Sequence, residues 1–287
     1  MVDSLVFGDL HLVDDVSRAD WIVGSVRDFG SGVGSLLPVI FDAYARVLHP
    51  AGLAPASGDD VDVRWSEVAA ANGRIAHAAM EWVAITGDWR FMTEGGQPGV
   101  WDRPPSLGSL PERQAASLAG VLARFTATPS DCWFAVWSGY GNAPFDPRAV
   151  QLVAMPERPM VLLGGPLRAA GTAFSAGNWP QSASLWWPDD RSWCVATDID
   201  LQSTYVGGST ECIEAVLGDD RLESFAVSIG QVVDWRSDTL NPAPEPPPVN
   251  AVKRRWPSDR PRPDTSGPVT LTSRGPRPAP PGDTPAP

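Results

Sequence analysis

Proline placement limits what this chain can fold into. Fifteen of its 30 prolines fall in the final 47 of 287 residues. Proline lacks an amide hydrogen and has a fixed φ, so closely spaced prolines interrupt helices and strand ladders alike. The runs Pro242 to Pro248 (PAPEPPP) and Arg277 to Pro287 (RPAPPGDTPAP) also offer few apolar side chains to bury. Residues 241–287 are therefore expected to form a disordered, basic, Pro-rich tail with some polyproline II character. Residues 1–240 remain to build an α+β globular domain.

Charge divides at the same place. Residues 1–240 carry 30 acidic and 15 basic side chains, a net of −15, whereas residues 241–287 carry 4 and 7, a net of +3. An acid-rich body repels phosphate backbones and anionic lipid, which argues against nucleic acid and favours a basic protein partner. In the tail, Lys253 to Trp256 (KRRW) reads as a solvated linker feature, or as a weak docking peptide or a tether to an anionic surface. The N-terminus lacks the basic and apolar regions of a signal peptide, and no apolar run is long enough to span a membrane. Cys132, Cys194 and Cys212 are too few and too scattered for a disulfide scaffold or a cysteine-based zinc site. A cytoplasmic location is expected.

Helix and strand signals follow one another without a βαβ rhythm. Helices are predicted over Pro111 to Arg124, over Ser66 to Ala79 despite Gly73, and over Thr210 to Leu217. Ser209 or Thr210 caps the last of these, and Gly218 closes it. Strands are predicted over Val39 to Val47, Cys132 to Trp137, Gln151 to Met155, Met160 to Leu163, Leu185 to Trp187, Trp193 to Ile199 and Phe225 to Ile229. This irregular order implies α+β: a mixed, largely antiparallel sheet with flanking helices. Pro104, Pro105 and Pro111 mark a candidate sub-boundary near residues 104–111.

The densest aromatic segment is Trp179 to Ser209, with Trp179, Trp186, Trp187 and Trp193 among Asp189, Asp190, Asp198 and Asp200. Pro188 to Ser192 has turn chemistry, so a hairpin is the simplest reading. Alternation along the second strand puts Asp198 and Asp200 on one face, with Cα atoms about 6.5–7 Å apart. A pair at that spacing suits two-carboxylate hydrolysis or a hard cation, and it equally suits a wet sheet end. Cys132 to Trp137 is apolar throughout, which predicts a strand buried on both faces. Trp133 and Trp137 share one face, either as core or as a stacking platform, and Ser138 to Gly141 forms the exit loop.

Histidine is scarce. His49 with Arg46 and Asp42 offers acid–base chemistry or plain structural polarity. Gly30 to Gly34 lacks the dinucleotide spacing, and Gly207-Gly208-Ser209 lacks the P-loop lysine, though its amides can hold a small anion. No cofactor and no metal is expected.

Several long phrases resemble an uncharacterised actinobacterial protein family. They are Phe41 to Ala51, Arg64-Trp65, Cys132 to Gly141 and above all Trp187 to Ser209, in that order. The resemblance implies a cytosolic bacterial protein and supplies no activity. The family has histidine where this chain has Phe125, and glutamate where it has Asp198.

Two functions compete. The first is a non-catalytic intracellular interaction protein, with Trp133, Trp137, Tyr140, Trp186, Trp187 and Tyr205 as candidate binding residues. The second is a hydrolase or carbohydrate-binding enzyme, with Asp198, Asp200, His49 and Arg46 as candidate catalytic residues. A nucleotide-binding enzyme built on a glycine turn ranks third. Convergence of Asp198, Asp200, Arg46, His49 and Tyr205 on one concave pocket would favour the enzyme.

Overall fold

The strand signals combine into a single sheet. The computed structural model describes residues 6–27, 29–54, 59–140, 146–174 and 181–247. Trp179, Gly141 and residues 248–287 of the expected tail lie outside the described residues, whereas Asn241, at the start expected for that tail, is buried and bonded to Ile75 and Asp238, so the ordered body extends past residue 240. The strands are β1 (Val6–Phe7), β2 (Leu10–Leu12), β3 (Ala43–Leu48), β4 (Ala51–Leu53), β5 (Val61–Val63), β6 (Cys132–Trp137), β7 (Leu152–Val153), β8 (Met160–Gly165), β9 (Leu185–Pro188), β10 (Cys194–Ala196), β11 (Ser203–Gly208) and β12 (Glu223–Val227). The α-helices are α1 (Asp20–Val23), α2 (Trp65–Ala71), α3 (Trp82–Thr86), α4 (Glu112–Leu122) and α5 (Thr210–Leu217).

Ten strands form one sheet in the order β1-β2-β8-β6-β9-β10-β11-β3-β12, with β7 also paired to β8; β4 and β5 form a separate hairpin. Every pairing between these strands is antiparallel. The fold is α+β, as the irregular order of elements implied.

Each face of the sheet carries its own core. On one face Phe134, Trp186, Trp193, Val195 and Val206 pack under α4 and α5. On the other, Ala135, Trp187, Cys194 and Tyr205 pack under the N-terminal segment that holds Ile22, Val33 and Leu37. Neighbouring residues of β6, β9 and β10 thus enter opposite cores, so these strands carry apolar side chains on both sides. A third core joins α2 and α3 through Trp65, Trp82 and Trp101, whose rings meet at 5.3 and 5.1 Å.

Four local expectations are corrected. The strand foreseen over Val39 to Val47 starts at Ala43, and Val39 and Ile40 are 53% and 61% exposed. The helix foreseen from Ser66 to Ala79 ends at Ala71. There Gly73 takes a left-handed φ of +63° and Arg74 N closes back on Ala69 O (2.7 Å), so the glycine turn ends the helix, and the Asn72 side-chain amide anchors that end to Ile85 O (2.9 Å) and Gln97 Oε1 (3.1 Å). The strand foreseen over Trp193 to Ile199 covers only residues 194–196. Asp198 Oδ1 accepts from Asp200 N at 3.0 Å, an Asx turn that bends the chain before either aspartate can join a ladder. Finally, β11 was not anticipated, yet it is buried along its whole length between β10 and β3. Its two terminal glycines disguised it. Gly207 is needed because a Cβ there would lie 2.5 Å from the Phe41 ring.

The proline-marked connection is stitched into the body. Ser106 O is held by His49, Pro105 O by Gln202 (3.0 Å), and Gly108 N donates to Leu201 O (2.8 Å).

Candidate functional site

The β10–β11 turn carries the two aspartates to one arginine. Arg158 Nε lies 3.0 Å from Asp198 Oδ2, and its Nη2 lies 2.7 Å from Asp200 Oδ2. The guanidinium also sits 4.8 Å from the Phe29 ring centroid and 5.8 Å from that of Trp137. Trp137 meets Tyr140 edge-on at 5.1 Å, and Tyr140 donates to Gly108 O. Burial pushes the Tyr140 phenol up to about 12, helped by Asp198 and Asp200. Burial and the neighbouring Asp198 also raise Asp200, against the pull of Arg158. Beside this cluster, Phe29, Arg158, Met160, Ser184, Ala196 and Asp198 help line a cavity of about 20 Å³. A single water needs roughly 10–15 Å³, so the cavity admits one small molecule and not a sugar ring.

Arg46 and Tyr205 belong to a different network. Arg46, on β3, is 2% exposed. It donates to Ser203 Oγ (3.0 Å), Ala78 O (3.2 Å), Met80 O (2.8 Å) and Glu81 Oε1 (2.9 Å). Ser237 Oγ adds a bond to Glu81 at 2.8 Å. Burial alone would depress Arg46, but the Glu81 carboxylate outweighs it and lifts the pKa above its ordinary value. Tyr205 pairs with Arg46 across the β11–β3 ladder, and among the described residues its buried hydroxyl has no hydrogen-bond partner of normal geometry.

His49 occupies a third network. Its Nδ1 faces Ser106 O at 2.7 Å, so Nδ1 carries the proton and donates. Its Nε2 then accepts from Thr204 Oγ1 at 2.9 Å, and Thr204 meets Thr197 at 2.7 Å. Burial, with the nearby Arg46 charge, lowers the imidazole to about 4, so it is neutral at pH 7. Asp198 with Asp200, Arg46 with Tyr205, and His49 are thus distributed over three networks. Of the five, only Asp198 lines either of the two described concavities.

The tryptophans also divide. Trp186 stacks on Phe134 (6.3 Å, 16°) and Trp187 meets Trp21 (6.4 Å), both in the buried cores. Trp133 and Trp137 are half-buried. Trp133 Nε1 donates to Asp189 Oδ1 at 3.1 Å under the Arg18 guanidinium. Asp190 fastens the hairpin turn by accepting from Thr126 Oγ1 (2.8 Å) and Ala127 N (2.7 Å).

The larger concavity lies elsewhere, where β3 and β12 meet α5. It is an open groove of about 560 Å³, within the roughly 300–1,000 Å³ of typical ligand pockets. Phe41, Ile213, Leu217, Val227 and Ile229 give it an apolar lining, and among the described residues Asp42 and Glu214 are its only charged lining residues. Among the described residues, neither carboxylate is hydrogen-bonded or ion-paired. Local chemistry builds it. Ser209 Oγ caps α5 by accepting from Cys212 N, and Gly207 leaves room for the Phe41 ring. Tyr44 Oη donates to Pro38 O and receives Phe41 N, fixing the turn that presents Asp42.

Sequence reading named Asp42 only as a companion of His49. It missed Arg158, Glu81 and Glu214, whose partners are distant in sequence. The one available signal was the amphipathic pattern of α5, which leaves Glu211 and Glu214 exposed.

Among the described residues no group of three or more His, Cys, Asp or Glu side chains is placed to hold a metal ion. Nor is any helix there long and apolar enough to cross a membrane. No protein-family model, curated protein or solved structure matches the chain.

Proposed function

We propose that this chain is a non-catalytic interaction protein whose binding face is the groove between α5 and the β3–β12 end of the sheet. The observation that carries this reading is the groove itself: open, apolar along its floor and edged by two carboxylates that are unpaired among the described residues. By contrast, the groups offered for catalysis are engaged internally. Asp198 and Asp200 hold Arg158, Arg46 holds Glu81, and neutral His49 is fixed between a carbonyl and a hydroxyl. The competing hydrolase reading has only a water-sized cavity beside its aspartates. A cytoplasmic setting and kinship with the actinobacterial family belong to the same proposal; three buried, unpaired thiols support the former.

The test is recovery of protein partners from lysate at low and moderate salt. Ala226 is exposed and lines the groove, so Ala226→Arg fills it without disturbing a core. The wild-type chain should recover a partner that Ala226→Arg loses. Equal recovery by both would refute the groove as the binding face.

A further inference from the structure

We infer that the groove receives a basic peptide segment of a partner protein. One apolar side chain seats on the floor, and an adjacent lysine or arginine is read by Asp42 and Glu214. This rests on the interaction reading above and adds the partner's chemistry to it.

Charge determines the sign. Asp42 stands in the turn that leads into β3 and Glu214 on the helix wall, both are exposed, and among the described residues no basic side chain lines the groove. Glu211, one turn earlier on α5, extends the acidic wall. A cation next to a seated apolar anchor would meet two carboxylates that have no competing partner among the described residues. An anionic segment would be repelled by both, and complementary charge is what selects among partners of similar shape.

Shape argues for a peptide over a free amine. The apolar surface does not stop at the groove. Val39 and Ile229 both approach Gly34, and Val39 and Ile40 are 53% and 61% exposed beside the lining residue Phe41. A strip of large exposed apolar residues that continues from a pocket marks a site for something longer than one side chain. In the register, Val227 pairs with Tyr44, the last pair of the ladder. Past it, Asp42 and Ser228 belong to chains no longer paired as strands, which leaves the opening.

The experiment uses the full chain and fluorescence anisotropy. The probe is a fluorescein-labelled Gly/Ser nonapeptide with a central leucine flanked by lysines. One control peptide has glutamates for the lysines, and another has serine for the leucine. The lysine–leucine probe should bind at least about tenfold more tightly than either control, a gap of about 1.4 kcal/mol. Asp42→Lys and Glu214→Lys should each weaken it severalfold, and Ala226→Arg should abolish binding. Asp14→Lys, exposed on the N-terminal segment, matches their charge change and should alter affinity less than about twofold. Equal binding of a control peptide, or an equal loss from Asp14→Lys, would overturn the inference. Absence of lysine-probe binding, with partner recovery from lysate still blocked by Ala226→Arg, would overturn the basic-peptide chemistry and leave the groove standing. If Ala226→Arg alters neither probe binding nor partner recovery, both fall together.

Discussion

Arg158 grips Asp198 through two nitrogens, at 3.0 Å to Oδ2 and 3.4 Å to Oδ1. The arginine side chain is 17% exposed and the aspartate 12%, so water screens this pair poorly. The same guanidinium lies between Phe29 and Trp137 and spans to Asp200. It therefore ties the β7–β8 turn to the β10–β11 turn and keeps two carboxylates from repelling one another.

Arg158→Met should destabilise the fold by about 1–3 kcal/mol at pH 7, because a mostly buried Asp198 loses its charged donor. The loss should shrink in acid. Asp200 already has a raised pKa in the folded state, so its protonated form favours folding; that benefit is full at low pH and disappears as pH rises through the folded pKa. Without Arg158 the pull that holds the Asp200 carboxyl down is lost and its pKa rises further, so urea unfolding of the variant should approach wild type at pH 4. An equal deficit at pH 4 and pH 7 would contradict the clamp.

His49 should impose an acid-sensitive limb on stability. Its folded pKa is lowered from 6.5 to about 4. Between those values the unfolded chain binds a proton that the folded chain refuses, so stability falls as pH drops from 6.5 toward 4. The full effect is about 3 kcal/mol, from roughly 1.4 kcal/mol per pKa unit. Denaturant titrations of wild type and His49→Gln across this range should differ in slope by one proton. Parallel curves would mean that His49 is not neutral and sealed.

Arg46 and Glu81 form a buried pair in which each partner depends on the other. Burial raises Glu81 above the usual carboxylate range, opposed by Arg46 and Ser237. Arg46→Met should cost about 3–5 kcal/mol, since it strands a buried carboxylate. Glu81→Gln should cost less, because its amide oxygen can still accept from Arg46. Thermal melts of the two variants test that order, and a larger loss in Glu81→Gln would reverse the assignment.

Gly108 is a point of forced close approach. Its φ is +72°, and a Cβ there would lie 2.5 Å from Ile199 O, backbone that cannot easily yield. Gly108→Ala should destabilise by more than about 1 kcal/mol. It should also disturb Tyr140, whose hydroxyl donates to Gly108 O. Near-ultraviolet circular dichroism would register both effects, and an unchanged spectrum and melting temperature would contradict them.

Much of the architecture could be read along the chain because local patterning and tertiary packing agreed. Cys132 to Trp137 is apolar at every position and became a strand buried between two cores. Ser209, Thr210 to Leu217 and Gly218 carried their own start and stop signals, and α5 follows them. Asp189 and Asp190 lie in a turn, as their composition indicated. Residues 203–208 misled because two glycines weaken a strand signal, and only the packing of the Phe41 and Tyr44 rings explains Gly207.

The sequence by itself determined the α+β class, the aromatic strands and the acidity of the body, all of which follow from residue type and short spacing. Tertiary structure alone decided the fate of the charged groups. Asp198 meets Arg158 across 40 residues, Arg46 meets Glu81 across 35, and His49 meets Thr204 across 155. It also decided that Asp42 and Glu214, far apart in the chain, edge the same groove. Periodicity records which way a side chain points from its own strand or helix. Which charge it will meet, or whether it is left facing solvent, depends on strand order, and strand order is set by cores built from residues distant in sequence.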